Sequence, residues 1–407
     1  MAANRIAIAG CGPAGLAAAL MLARDGHDVS LFDRFAAPQP FGSGLMLQPT
    51  GMAVLAALGL DQAIRARGSP VARLYGLSAT GRVVLDARYA DLPGPATTGL
   101  GIHRASLFDV LHDAVRAAGV AVACGHELIA SSCTTQGRWF HFADHDSAGP
   151  FDLVIDALGL HTPLAPACGR NLPFGALWVT LPWPGASPFR RDRLEQRYRA
   201  AREMVGVLPI GQRPGHGAEL ALFWSLPAAG YARWQDQGLA AWREELAALW
   251  PDCAALAEQI TDPAQVTMAR YAHRTLPAPV QDRLIHIGDA WHTASPQLGQ
   301  GANMALLDAM AVAAALRLTR DPAATPALAA QLRGWHVVLY QWITAFFTPL
   351  YQSEAAFPAW LRDWLFAPAS QVWPGKQVQA LLMSGLAGNP LPRLGLERAD
   401  YAQLSEG

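Results

Sequence analysis

The run Gly10-Cys11-Gly12-Pro13-Ala14-Gly15 sets three glycines at the spacing with which a backbone wraps a phosphate, and Asp33 lies eighteen residues after the last of them. The first glycine allows a tight turn, and the second admits a pyrophosphate to the backbone. The third lets a helix lie close on a strand while the phosphates face the positive helix end. An acid at the end of the following strand accepts hydrogen bonds from a ribose hydroxyl. That is dinucleotide-binding chemistry, and at this point FAD and NAD fit equally. Residues 288–303, GDAWHTASPQLGQGAN, separate the two. Asp289 is placed to accept a hydrogen bond from a polyol such as ribityl, and the loop turns at Pro296. A helix opens at Gly299 and Gly301, with Ala302 and Asn303 in its first turn. Its free N–H groups and dipole favour an anion such as reduced flavin at N1 and O2.

These residues need a scaffold, and the flanking sequence supplies one. Arg5–Ala9 is a short apolar strand, 16–25 reads as a helix stopped by Gly26, and 28–32 is a second strand ending at Asp33. Strand, glycine turn, helix, strand is a βαβ unit. Further strands at 121–124, 153–155 and 284–287 extend the same sheet, so this first domain is split along the chain. Stretches near 75–95 and 170–282 alternate apolar and polar residues, as half-buried antiparallel strands do. One amphipathic helix, 240–249, is set among them. From Thr325 the pattern is helical, with breaks expected at Pro349, Pro358 and Pro374. The expected fold class is α/β: a Rossmann-like FAD-binding domain (1–75, 97–165 and 283–345), an interleaved β-rich substrate domain (76–96 and 166–282), and a C-terminal helical segment (346–407).

Composition narrows the function classes. The 407 residues include 31 basic and 32 acidic side chains, with only 15% charged and 52% hydrophobic. Disorder is excluded by that balance, and no basic excess marks a nucleic-acid binder. The five cysteines, Cys11, Cys124, Cys133, Cys168 and Cys253, show neither a disulfide framework nor metal-ligand spacing, so no metal is expected. The longest apolar stretch, 337–351, is shorter than the roughly 20 residues a bilayer requires. A soluble, cytoplasmic protein is expected, with membrane contact at most peripheral through Trp335, Trp342, Phe346 and Phe347. Those aromatics are expected mainly to pack on the FAD domain. The oligomeric state is not legible.

The sequence resembles the single-component FAD-dependent aromatic hydroxylases, the group A flavoprotein monooxygenases, which include p-hydroxybenzoate, salicylate and ubiquinone-pathway hydroxylases. The likeness runs through GCGPAG at 10–15, Phe32-Asp33-Arg34 and Gly42-Ser43-Gly44-Leu45 with Pro49. It continues in Leu55, Leu58, Gly59 and Leu60, in His103-Arg104-Ala105-Ser106-Leu107, and in Gly288-Asp289. The resemblance implies that Gly10, Gly12, Pro13, Ala14, Gly15, Asp33, Arg34, Gly44 and Arg104 hold FAD. Leu128 either packs on adenine or serves the core, and Pro296 lies beside the isoalloxazine. It implies hydride transfer from NADPH or NADH, oxygen addition to a flavin C4a-hydroperoxide, and hydroxylation of a small aromatic, apolar or polyketide-like substrate with O2. No catalytic side chain is assigned.

One departure touches the reductant. The family's middle motif, ADGxxSxxR, meets here Asp156-Ala157-Leu158-Gly159-Leu160-His161-Thr162-Pro163-Leu164-Ala165. Leu158 replaces the aspartate, Thr162 the serine and Ala165 the arginine. The alternatives are therefore an FAD-dependent oxidoreductase reduced by another donor and a non-catalytic FAD-binding protein. His292 is read as a structural hydrogen-bonding residue before an acid or base. Trp291 either flanks the flavin or substrate or fills core, and Trp178, Phe223, Trp224 and Tyr231 are candidates for a cavity wall.

Overall fold

The computed structural model describes residues 3–37 and 42–398. Its first sheet runs in the order 280–281, 284–286, 153–156, 5–9, 28–32, 121–123. Every neighbour pair in it is parallel except the short hairpin at 280–286. Successive side chains on a strand face opposite sides, and Arg5–Ala9 uses both. Ile6 and Ile8 enter a core shared with the helices Pro13–Arg24, Arg104–Ala117 and Gly301–Thr319. Ala7 and Ala9 meet the phenylalanines of a small antiparallel sheet, 128–134, 137–142 and 148–151. Both faces are thus covered, as parallel sheets require. Gly301–Thr319 is apolar and long enough to cross a membrane by composition, and most of it is buried in this core.

The second sheet has eight strands in the order 292–293, 267–275, 170–182, 218–227, 203–212, 193–199, 73–78, 83–88. Its pairings are antiparallel save 193–199 with 73–78. Alternation again divides the strands. Leu177, Val179 and Leu181 pack under the helix Tyr231–Leu249, while Ala176, Trp178 and Phe223 face a cavity. The strand Arg73–Ser78 straddles the expected boundary at residue 75 and belongs whole to this sheet. A three-stranded sheet, 44–47, 99–103 and 69–71, sits between the two larger ones.

Three local expectations need correction. The helix expected at 240–249 begins at Tyr231 and passes a break at Gly238, whose φ of 76° lies in the left-handed region that glycine tolerates. Pro349 does not end the Thr325–Tyr351 helix. It falls in the last turn, two residues before the terminus, so the disruption a proline causes has little helix left to act on. The same helix inverts the expected polarity. Arg333, His336, Thr344 and Thr348 point inward, while Trp335, Trp342 and Phe346 are each more than half exposed. Its inner face is occupied by a hydrogen-bonding network described below. Six further large apolar side chains between Phe357 and Trp373 are exposed beyond it: Phe357, Trp360, Trp364, Leu365, Val372 and Trp373.

Candidate cofactor and substrate site

A single cavity of about 1360 Å³ joins the two sheets. It exceeds the roughly 300–1,000 Å³ of one small-molecule site, so it has room for two ligands. At its first end, strand Arg5–Ala9 delivers Gly10 into the turn that opens the Pro13–Arg24 helix. Gly10 has φ of 104°, and a Cβ there would come within 2.5 Å of the Ala157 carbonyl oxygen. Gly15 lies against the Gly10 carbonyl, where a side chain would clash. Gly12 differs: a Cβ would meet nothing within 4 Å, because this residue faces the open cavity. The cradle is therefore tight behind and empty in front, the shape a pyrophosphate needs.

Asp33 closes the turn from below. Its Oδ2 accepts from the Cys11 amide at 2.7 Å and its Oδ1 from the Phe35 amide at 3.1 Å. A carboxylate has about four acceptor positions, which leaves capacity for a ribose hydroxyl. Burial, with the neighbouring Asp33 charge, pushes the Cys11 thiol well above its usual range, so it is no nucleophile. Arg34 and Arg104 are exposed at the cavity edge, with Arg34 lying over the Phe35 ring. Arg104 is held where its amide donates to the Ser43 carbonyl, and its side chain crosses Gly42.

The other wall of this end is residues 288–302. Asp289 opens onto the cavity while protein surrounds it, and burial raises its carboxyl pKa. The Gly301–Thr319 helix starts against the same space, and a Cβ on Gly301 would meet nothing. Gln48 Nε2, Gln297 Nε2 and Gln300 Oε1 line this region, buried and without a protein partner among the described residues. Open helix starts, spare amides and a polyol-facing acid together fit a flavin dinucleotide.

The structure brings Gly10, Gly12, Pro13, Ala14, Asp33, Arg34, Gly44, Arg104, Leu128, Asp289, Pro296, Gly299, Gly301 and Ala302 to this cavity. Two expected contacts lie behind its wall. Gly15 serves helix packing. Asn303 is fully buried, its Oδ1 accepting from the Gln48 amide at 2.7 Å and its Nδ2 donating to the Met46 and Gly299 carbonyls. Its side-chain amide thus pins the helix start. Leu128 lines the cavity and also joins the phenylalanine core. Trp291 fills core between the sheets, and Trp224 and Tyr231 pack on the helix side of the second sheet.

Behind the flavin end lies a network invisible in the sequence. Asp308 Oδ2 accepts from the Gly288 amide at 2.9 Å and from His292 Nε2 at 2.7 Å, and its Oδ1 accepts from Arg333 Nε at 2.8 Å. Arg333 continues to His336, which reaches the Gly385 carbonyl at 3.0 Å. Burial alone would raise the Asp308 pKa, but His292 and Arg333 overcome it and bring it down to about 2. Burial and then the Arg333 charge take His336 down to about 3, so its ring is neutral. His292 is thus a structural hydrogen-bonding residue that fixes the loop carrying Asp289.

The stretch in place of the family's middle motif is also pinned from within. Asp156 Oδ1 accepts from the Leu158 amide at 3.0 Å, and Oδ2 accepts from Thr162 Oγ1 and His286 Nδ1, both at 2.6 Å. Asp156 is fully buried. It holds the turn that presents Leu158, Gly159, Leu160 and His161 to the cavity.

At its far end the cavity is walled by Leu74, Leu85, Trp178, Leu208 and Phe223 from the second sheet. Trp178 and Phe223 stack with ring centroids 4.6 Å apart, and Trp178 Nε1 donates to the Tyr271 hydroxyl at 3.0 Å. Burial pushes the Tyr271 phenol up to about 12, so it stays protonated. Phe347, Leu350, Tyr351 and Phe366 from the C-terminal helices close this end. Among the described residues no cluster of potential metal ligands occurs.

A family model described as FAD binding domain matches residues 4–330. The chain is 27% identical over 322 residues to 6-methylpretetramide 4-monooxygenase of Streptomyces rimosus, covering 75% of this chain and 73% of that protein. It is 28% identical over 323 residues to 3-amino-4-hydroxybenzoate 2-monooxygenase of Streptomyces cremeus, covering 75% and 76%. Among solved structures, Klebsiella pneumoniae HpxO complexed with FAD and uric acid superposes with a TM-score of 0.77 at 22% identity, covering 93% of this chain and 97% of that one. The tetrameric form of 2-methyl-3-hydroxypyridine-5-carboxylic acid oxygenase gives 0.77 at 18% identity, covering 98% and 99%. At those identities the superpositions speak for the fold.

Proposed function

Since the chain belongs to the FAD-binding-domain family, whose model spans residues 4–330, and is similar to group A flavin monooxygenases, we propose that it is an FAD-dependent monooxygenase acting on an aromatic or polyketide-like small molecule. One observation carries this reading: a continuous cavity runs from a dinucleotide cradle to an aromatic-walled compartment, so cofactor and substrate share one space. Residues Gly10–Ala14, Asp33, Arg34 and Arg104 would hold the adenosine and pyrophosphate portions. Asp289 and the 296–302 segment would hold the ribityl chain and ring.

When bound, the flavin supplies the redox chemistry, hydride acceptance and activation of O2. The protein's own contribution is position and dryness. The Gly301 helix start places N–H donors where negative charge develops. Asp308, through Gly288 and His292, fixes the loop that presents Asp289. Phe347, Leu350, Tyr351 and Phe366 exclude water from the compartment where oxygen is transferred. Tyr271, protonated and oriented by Trp178, supplies a hydrogen-bonding group on the compartment wall.

NADPH or NADH is the reductant typical of the family. The turn at 158–161, held by Asp156, keeps the place of the usual middle motif with leucine for its acid. The test is the visible spectrum of the purified protein, followed without oxygen while NADPH and then NADH are added. A flavin spectrum that bleaches, then recovers with O2 uptake when hydroxyaromatics are supplied, is the expected result. A colourless protein that cannot be loaded with FAD would overturn the reading. Flavin reduced by dithionite but by neither nucleotide, with or without hydroxyaromatics, would favour an external donor.

A further inference from the structure

We infer that Arg362 is the polar anchor for the substrate, and that it selects a neutral keto- or hydroxy-substituted polycyclic aromatic over an aromatic carboxylate; this rests on the monooxygenase reading. The far compartment is walled by the second sheet with mostly apolar and aromatic groups. Its unsatisfied polar atoms come from the chain after Tyr351. Arg362 Nη2, Gln352 Oε1 and Gln379 Oε1 all belong to cavity-lining residues, and each is buried without a protein partner among the described residues. Buried polar groups are nearly always paired, and exceptions mark places where something else supplies the partner. One donor and two acceptors left over at one cavity define a complementary ligand. It carries a carbonyl-type oxygen for the guanidinium and hydroxyl or N–H groups for the amides.

Arg362 is built to wait for that partner. Only 1% exposed, it lies with its guanidinium carbon 4.9 Å from the Tyr198 ring centre and 5.4 Å from that of Tyr351. Its Nη1 donates to the Leu350 carbonyl at 3.2 Å, which fixes the fork and leaves Nη2 over. The residue opens a single π-helical turn, Arg362–Phe366, a distortion frequent at functional sites. Gln352 is oriented by its neighbours as well. Ser225 Oγ donates to the Gly175 carbonyl, so it accepts from Gln352 Nε2 at 3.0 Å, and the amide oxygen is the atom left free.

Charge decides between ligand classes. Asp363 Oδ1 lies 2.7 Å from Arg362 Nε, so the pair is already neutral. A carboxylate entering here would add a buried charge with no counter-ion, beside two amide oxygens that repel it. A ketone, quinone or phenol oxygen takes the Nη2 hydrogen without that cost.

The test measures binding alone, by quenching of tryptophan fluorescence in the FAD-loaded protein with quinizarin and anthraquinone-2-carboxylate as probes. Wild-type protein is expected to bind quinizarin at least about tenfold more tightly, with Arg362→Met losing about 10- to 100-fold for quinizarin and under about threefold for the carboxylate. Gln379→Leu should lose a smaller factor in the same direction. If Arg362→Met fails to fold, Arg362→Lys keeps the cation and loses the fork, with an expected loss of about tenfold. Quinizarin affinity within about threefold of wild type in the folded arginine variant, tighter binding of the carboxylate, or no binding of either probe overturns the proposal. Flavin content, measured on the same samples, reports separately on the monooxygenase reading.

Discussion

Asp308→Asn isolates what the buried network contributes. The substitution keeps the shape and one acceptor oxygen but removes the charge that faces Arg333 and His292. Two routes give the magnitude. The carboxyl sits at about 2 in the folded protein against an ordinary 3.8, a difference worth about 2 kcal/mol. The folded pKa is depressed, so this stability is fully present above about pH 4 and disappears as the pH falls through the folded value. Alternatively, breaking a buried ion pair leaves Arg333, 1% exposed, without a counter-ion, which costs about 3–5 kcal/mol. The second effect dominates at neutral pH because Arg333 has no solvent to retreat to. Urea unfolding of the FAD-saturated protein should therefore show Asp308→Asn less stable by about 2–5 kcal/mol. Arg333→Met should relieve part of that loss when combined with it, giving a coupling of at least about 1 kcal/mol. Because Gly288 and His292 flank Asp289, the single variant should also release FAD more readily, read as flavin absorbance passing an ultrafiltration membrane. A single variant within about 0.5 kcal/mol of wild type, or a strictly additive cycle, would refute the reasoning.

The two glycines of the first turn should separate on substitution. Gly12→Ala adds a Cβ where the protein has open space, so circular dichroism and melting should match wild type while FAD affinity falls about tenfold or more. Gly15→Ala forces its Cβ against the Gly10 carbonyl and should destabilise the fold itself, seen as a lower Tm of the apoprotein. Leu158→Asp should leave anaerobic reduction by NADPH and NADH within about threefold of wild type, because Asp156 holds the turn from behind; a gain above about tenfold would favour an external natural donor. His336 is held neutral by burial and the Arg333 charge at about 3, against 6.5 unperturbed. Between those values the unfolded chain binds a proton that the folded one refuses, so stability falls as the pH drops, at up to about 1.4 kcal/mol per unit. Melting temperatures from neutral pH downward should show a shallower acid limb in His336→Gln.

The architecture was legible wherever local chemistry and periodicity coincide. Gly10, Gly12 and Gly15 sit between a strand and a helix, and each signal requires the others. The strand at 5–9 appears in the structure with the bounds its apolar run suggests. The helix 325–351 shows where this fails. Periodicity weighs aromatic residues as inward and arginine as outward, yet Arg333 and His336 face the core while Trp335 and Trp342 face out. What reversed the pattern is a long-range partner, Asp308, twenty-five residues earlier on another helix. No window along the sequence contains both ends of that bond. Asn303 has a side-chain role hidden for a related reason. Its motif position is right for a helix start, but its side chain is consumed by Gln48, Met46 and Gly299.

The cofactor end and the substrate end of the cavity therefore differ in kind. Phosphate and ribityl recognition uses backbone geometry, and glycine spacing writes that geometry into a few adjacent residues. The compartment proposed for the substrate is lined by Trp178, Tyr198, Phe223, Tyr271, Gln352 and Arg362, six residues scattered over five separate elements and a loop. Each is an ordinary core or surface residue in its own neighbourhood, and only the eight-stranded sheet and the C-terminal helices bring them to one space. The polar atoms left unpaired there are legible in three dimensions alone. A fold that spends Asn303 and Asp308 on satisfying its own backbone, and leaves Arg362 Nη2 without a partner among the described residues, has kept that donor for a ligand.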